Sequence, residues 1–184
     1  DPGKTLELAD LTGAHACESF EEFSCRDFAR VVEAASVEAL VMHGEAILSA
    51  GKDLLALSAG AFLDTGFRAN MTRLARQSGR RIQIPSGAVF GLDNLQVGQL
   101  SAVDRVTLRT TKSPAALAPN VTERTCLFRG GVAEAIQRYP KNINVGAALS
   151  LAAGKEVEVE LWVDPLATRN THEVLVRGRF GEVT

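Results

Sequence analysis

The spacing of apolar residues changes character near Pro85. Before it, three brief apolar runs, Arg30-Val31-Val32-Glu33-Ala34, Leu54-Leu55-Ala56-Leu57-Ser58 and Arg81-Ile82-Gln83-Ile84, have the length and make-up of buried strands. Between the first two, Ser36 is a good N-cap, and Val37, Leu40, Val41, Ile47 and Leu48 fall on one helical face before Gly51 stops the helix. A second helix, from about Phe62 to Gln77 and closed by Ser78-Gly79, leads into the third run. This half therefore reads as parallel α/β with right-handed crossovers. An earlier helix, about Lys4 to Leu11, and a weak strand at Ala14 to Cys17 extend the same sheet.

After Pro85 the period shortens to two. Asp104 to Thr111, Thr125 to Phe128, Glu156 to Val163 and Thr171 to Phe180 read as longer strands, with a helix from about Val132 to Arg138. Glu156, Glu158 and Glu160 alternate with Val157, Val159, Leu161 and Val163, which predicts a core face and a wet face, with Trp162 on the wet side, either covered by a neighbouring side chain or in a subunit contact. A helix after Lys141 is apolar all round, from Ile143 to Ala153, and so belongs in a core. The expected fold class is α/β: an incomplete Rossmann-type parallel sheet over residues 1–86, followed by an α+β mixed-sheet domain over 87–184.

Polar chemistry gathers at a few places on this frame. Tyr139-Pro140-Lys141-Asn142-Ile143-Asn144 puts one lysine and two asparagines at the start of the apolar helix, where free N–H groups and the helix dipole favour an anion. The strand ends at Ala34-Ala35-Ser36, Ser58-Ala59-Gly60-Ala61 and Pro85-Ser86-Gly87-Ala88 are small and uncharged, as suits a ligand lying beyond the carboxyl edge of a parallel sheet. Small turns also arise wherever strands lead into helices. Asn170-Thr171-His172-Glu173 opens the last long strand, and alternation sets His172 on the side of Val174, Val176 and Phe180, at the mouth of an apolar layer. A lone imidazole on such a face is more often a satisfied core group than a catalyst, although histidine is the side chain best able to exchange a proton near neutrality. His15 and His43 lack obvious polar company.

Composition narrows the function classes. The 184 residues are 46% hydrophobic and 23% charged, with a net charge of −2, so no basic footprint points to nucleic acid or to an anionic membrane. There is no run of about 18 apolar residues to span a bilayer, and a cytoplasmic location is expected. Cys17, Cys25 and Cys126 are odd in number and lack ligand spacing, which makes reduced thiols and no metal site the expectation.

Taken in order, Val31 to Ser36, Gly51-Lys52-Asp53-Leu54-Leu55 with Ser58-Ala59-Gly60-Ala61, Ile84-Pro85-Ser86-Gly87-Ala88 with Gly91-Leu92-Asp93, Pro140 to Val145, and Asn170-Thr171-His172-Glu173 resemble the L-aspartate dehydrogenase family. That family joins a nucleotide-binding domain to a dihydrodipicolinate-reductase-like catalytic domain. The resemblance implies oxidation of L-aspartate with NAD or NADP to iminosuccinate, which yields oxaloacetate and ammonia or feeds pyridine-nucleotide synthesis. It implies His172 as the catalytic residue, Ala88 and Asn142 as dinucleotide contacts, and a homodimer. Ser36, Ser58, Ala59 and Gly60 are expected along the cofactor. Lys141, Asn144 and Asn170 are the candidate substrate contacts, with Asn142 and Asn144 interchangeable in role.

The chain departs from the family at both ends. The Gly-x-Gly-x-x-Gly fingerprint that follows a first strand is missing, as is a final segment returning to the nucleotide domain. The expectation is of a longer enzyme whose ribose-reading acidic residue lies at or before Asp1. Two other readings stay open, a dinucleotide-binding or regulatory protein without the reaction, and a dehydrogenase for another small amino acid.

Overall fold

The computed structural model describes residues 2–87, 92, 95, 102–117, 120–139 and 144–184. Two helices, α1 (Pro2–Thr12) and α2 (Phe20–Ser24), precede strand β1 (Arg30–Glu33), helix α3 (Val37–Ser49) and strand β2 (Asp53–Ala56). A 3₁₀ turn (Ala59–Leu63), α4 (Thr65–Ser78) and β3 (Ile82–Gln83) complete a parallel three-stranded sheet in the order β1-β2-β3. Val31, Leu40, Leu48, Leu54, Phe62 and Met71 form its core. The Ser36 hydroxyl caps α3 by accepting from Ala39 N–H at 3.1 Å, a cap whose loss costs about 1 kcal/mol.

Four local expectations change here. Residues 14–17 form no strand; this stretch is tied to α2 instead, where Glu22 accepts from Glu18 N–H at 2.9 Å and meets His15 at 2.9 Å. The helix expected from Phe62 starts at Thr65, because Asp64 caps a new helix by accepting from Phe67 N–H at 2.7 Å and Phe62 is left in the 3₁₀ turn. Val41 is half-exposed at 49%. Its place on the buried face of α3 goes to Gly44, whose missing side chain makes room for Met71 of α4. His15 is not isolated, since it bonds to Glu22 and to Arg26.

The second sheet is mixed. β4 (Val103–Lys112), α5 (Pro114–Leu117), β5 (Thr125–Gly131), α6 (Val132–Arg138), α7 (Asn144–Ala153), β6 (Glu158–Val163), β7 (Thr171–Gly178) and β8 (Gly181–Val183) follow in sequence. The strand order is β5-β6-β4-β7-β8, with β4 and β6 parallel and the other pairs antiparallel. Val106, Leu108, Val159, Leu161 and Val176 form the inner face, against which Ala135 of α6 and Leu149 of α7 pack. β7 ends at Gly178, and a two-residue hairpin of Arg179 and Phe180 leads to β8, so Phe180 leaves the inner row and is 38% exposed.

The outer face is wet along its rim, where Arg105, Arg129, Glu173 and Arg177 are exposed, but not at its centre. Glu160 is 7% exposed, and Arg109 and Arg129 reach it from the flanking strands at 2.8 and 3.1 Å. Arg109 also approaches Glu173 at 3.6 Å, so a row of alternating charges crosses β5, β6, β4 and β7. The Trp162 indole donates to Glu160 at 3.0 Å and lies under the Arg124 guanidinium. The two sheets meet through α7. Its Ala147 and Ala148 pack on Ala59 of the 3₁₀ turn, with Leu63, Ile84, Ile136 and Leu151 around them.

Candidate active site

The first part of the site is the carboxyl edge of the parallel sheet. β1 places Val31 and Glu33 on the buried side, and Glu33 ends the strand 8% exposed. Its carboxylate accepts from Ala35 N–H at 2.8 Å, Ser58 N–H at 3.0 Å and the Ser58 hydroxyl at 2.8 Å. One carboxylate thus clamps the turn after β1 to the turn after β2. Ser58 and Ala59 lie beneath this edge, both buried, with Ser58 committed to Glu33 and Ala59 to α7. Ala34 and Ala35 are exposed, while Ser36 and Gly60 are half-buried. An edge of small side chains held at fixed separation, with Ala34 and Ala35 exposed above it, fits the extended body of a dinucleotide.

The second part is the end of the inner face of the mixed sheet. Thr110 on β4 lies directly opposite His172 on β7. Thr110 is 1% exposed, and its hydroxyl meets His172 Nδ1 at 2.9 Å. Burial first, and then the positive charge of Lys112, push the imidazole below its ordinary value, which favours the neutral ring. Lys112, the next inner-face position of β4, is itself lowered by burial. Asn144 and Asn170 are exposed, at the first residue of α7 and just before β7. Ala88, Lys141 and Asn142 lie outside the described residues.

Three groups here were not singled out from the sequence. Thr110 and Lys112 fall on the apolar side of their strand by simple alternation, but their partner strand is set by the sheet order. Glu33 carried a signal, a carboxylate in phase with Val31. Among the described residues, His15, Cys17 and Glu22 form a grouping whose ligand-type atoms lie within 4.8 Å of one another. Arg26 donates to Glu22 at 2.6 Å and also bonds His15. The Glu18 backbone N–H, then Arg26 and His15, hold the Glu22 carboxyl down at about 2. This is an ion-pair cluster whose cation is already supplied by the chain.

The family model described as the aspartate dehydrogenase C-terminal domain matches residues 93–184. An L-aspartate dehydrogenase of Methanospirillum hungatei is 51% identical across the whole chain, which spans 73% of that relative. The chain belongs to the L-aspartate dehydrogenase family. The enzyme of that name from Archaeoglobus fulgidus is 39% identical over 96% of the chain and 73% of its own length. The crystal structure of the Thermotoga maritima aspartate dehydrogenase superposes with a TM-score of 0.82 at 31% identity, covering 98% of the chain and 82% of that structure. A model described as the homoserine dehydrogenase NAD-binding domain matches residues 4–85, which makes the first sheet an NAD-binding domain of Rossmann type. The fold extends to a gentamicin-biosynthesis protein solved with NAD, at 15% identity and a TM-score of 0.59. The aspartate dehydrogenase C-terminal match thus covers the mixed sheet, and the NAD-binding match covers the parallel sheet.

Proposed function

We propose that this chain oxidises L-aspartate with NAD(P), and that His172 moves the proton. The product is iminosuccinate, which yields oxaloacetate and ammonia. When bound, the nicotinamide cofactor supplies the hydride acceptor for the α-carbon. The chain's own residues must provide a neutral amine, fix the diacid, and keep the reacting atoms close. The observation that carries the reading is the Thr110–His172 bond at 2.9 Å, made by a buried threonine to a half-buried, desolvated imidazole. With its proton on Nδ1, the ring donates to Thr110 and leaves the Nε2 lone pair to take a proton from the substrate ammonium or from attacking water.

The division of labour follows the two edges. Ala35, Ser36 and Gly60 border the cofactor's path, with Ser58 and Ala59 supporting the turn from below. Asn144 and Asn170, both exposed, are substrate contacts in this reading. It retains Ala88 and Asn142 for the cofactor and Lys141 for a carboxylate, on the resemblance alone. The boundary between the two domains falls after residue 86, next to the family-model limits at 85 and 93. A homodimer and a cytoplasmic location belong to the same reading. The free cysteines suit a reducing compartment, and no helix among the described residues is long and apolar enough to cross a membrane.

Reduced-cofactor absorbance with L-aspartate, set against a panel of other amino acids, tests the assignment. Formation with aspartate above the panel is the expected result. Growth with a different amino acid would move the substrate, and no growth with any would favour a binding module.

A further inference from the structure

We infer that the buried Glu33 carboxylate supports the oxidised nicotinamide ring electrostatically, so that the chain holds the dinucleotide more tightly in its oxidised than in its reduced form. This rests on the cofactor edge assigned above. Glu33 ends β1 and is 8% exposed, yet none of the ion pairs among the described residues includes it. Three donors converge on it instead. Oε1 accepts from Ala35 N–H at 2.8 Å and from the Ser58 hydroxyl at 2.8 Å, and Oε2 accepts from Ser58 N–H at 3.0 Å. An ionised carboxylate, which only accepts, matches this set, but all three donors are neutral. A negative charge is thus fixed under the carboxyl edge of the parallel sheet without the counter-charge that Glu160 receives from Arg109 and Arg129.

The position of the charge along the edge decides which part of the cofactor it meets. Hydride transfer needs the nicotinamide at the catalytic half, close to the reacting carbon. The stretch of the edge that touches that half is the turn after β2. Ala59 packs on Ala147 and Ala148, just past the first turn of α7, and a Cβ on Gly60 would come within 3.5 Å of Ile136 of α6. Ser58, which Glu33 binds through both its N–H and its hydroxyl, opens this same turn. Glu33 therefore supports the end of the edge that the ring must occupy. The ring is cationic when oxidised and neutral when reduced, so a fixed anion in partly desolvated surroundings stabilises the oxidised form alone. Such a charge favours the hydride acceptor at the start of aspartate oxidation and loosens the reduced cofactor at its end.

The test titrates NAD+ and NADH separately into the full chain by calorimetry, without amino acid, so that binding is read apart from turnover; NADP+ and NADPH replace them if that pair binds more tightly. Glu33→Gln removes the charge and keeps the number of heavy atoms. It should lower the ratio of oxidised to reduced cofactor affinity by about fivefold or more, the scale of one partly screened elementary charge. Ser58→Ala removes one bond of the clamp and keeps the charge, so it should weaken both forms by a common factor and leave the ratio unchanged. Glu33→Asp should keep most of the wild-type ratio. Glu33→Met is the second neutral variant if E33Q does not fold by circular dichroism. An unchanged ratio in a folded neutral variant overturns the inference and leaves Glu33 as a structural clamp, however far both affinities fall. A wild type that binds neither form would instead overturn the cofactor edge. A wild type whose ratio depends on Glu33 but which oxidises no amino acid would overturn the reaction assigned above and leave the inference standing.

Discussion

The two faces of the mixed sheet use charge in opposite ways. On the outer face, every carboxylate in the central row has a guanidinium beside it. Burial by itself would raise the Glu160 carboxyl, but hydrogen bonds from Arg109 and Trp162 and the charges of Arg109 and Arg129 hold it below its usual range. Arg109 is correspondingly raised by Glu160. On the inner face, His172 and Lys112 are both lowered, first by burial. The outer face has matched its charges internally. The inner face instead buries its titratable groups, and burial there favours the neutral imidazole of His172.

That contrast can be broken from either side. His172→Ala should lower kcat by about a hundredfold or more while leaving NAD affinity largely intact, checked by steady-state kinetics and cofactor titration. Near-normal turnover would remove the histidine from the reaction. Glu160→Gln, on the other face, should cost about 1–3 kcal/mol in denaturant unfolding and leave kcat within error, since its bonds are structural. A large fall in kcat for E160Q would mean that the two faces are coupled.

Thr110→Val keeps the shape of the buried side chain and removes the hydroxyl. It should cost about fivefold to tenfold in kcat, the worth of one hydrogen bond, with little change in the KM for NAD, and Thr110→Ser should restore most of the loss. The smallest effect concerns pH. A base whose proton affinity is lowered stays active to lower pH, so the acid limb of log kcat/KM should fall below the ordinary histidine value of 6.5. An acid limb above that value would contradict a desolvated imidazole.

Much of this was legible in the residues, for identifiable reasons. α3 announced itself through Ser36 and Gly51, the helix at Val132–Arg138 came out as read, and strand alternation put His172 on the inner side. The exceptions share a cause. The wet face expected for this strand is covered at Glu160 because arginines from strands far apart in sequence converge on it, and periodicity within one strand carries no information about its neighbours. Thr110 and Lys112 were missed for the same reason: the partner of His172 lies 62 residues away. The false strand at Ala14–Cys17 was outweighed by local ion pairs around Glu22, which a propensity argument does not include.

The junction of α7 with the 3₁₀ turn sets a mechanical constraint on the two sheets. Ala59 meets Ala147 and Ala148 there, all with side chains no longer than one methyl group. Such side chains have no rotamers to exchange, so any repacking at this contact falls to the surrounding Leu63, Ile84, Ile136 and Leu151. It works as a spacer of nearly fixed thickness between the parallel sheet and the mixed sheet, so a tilt imposed on one is passed to the other.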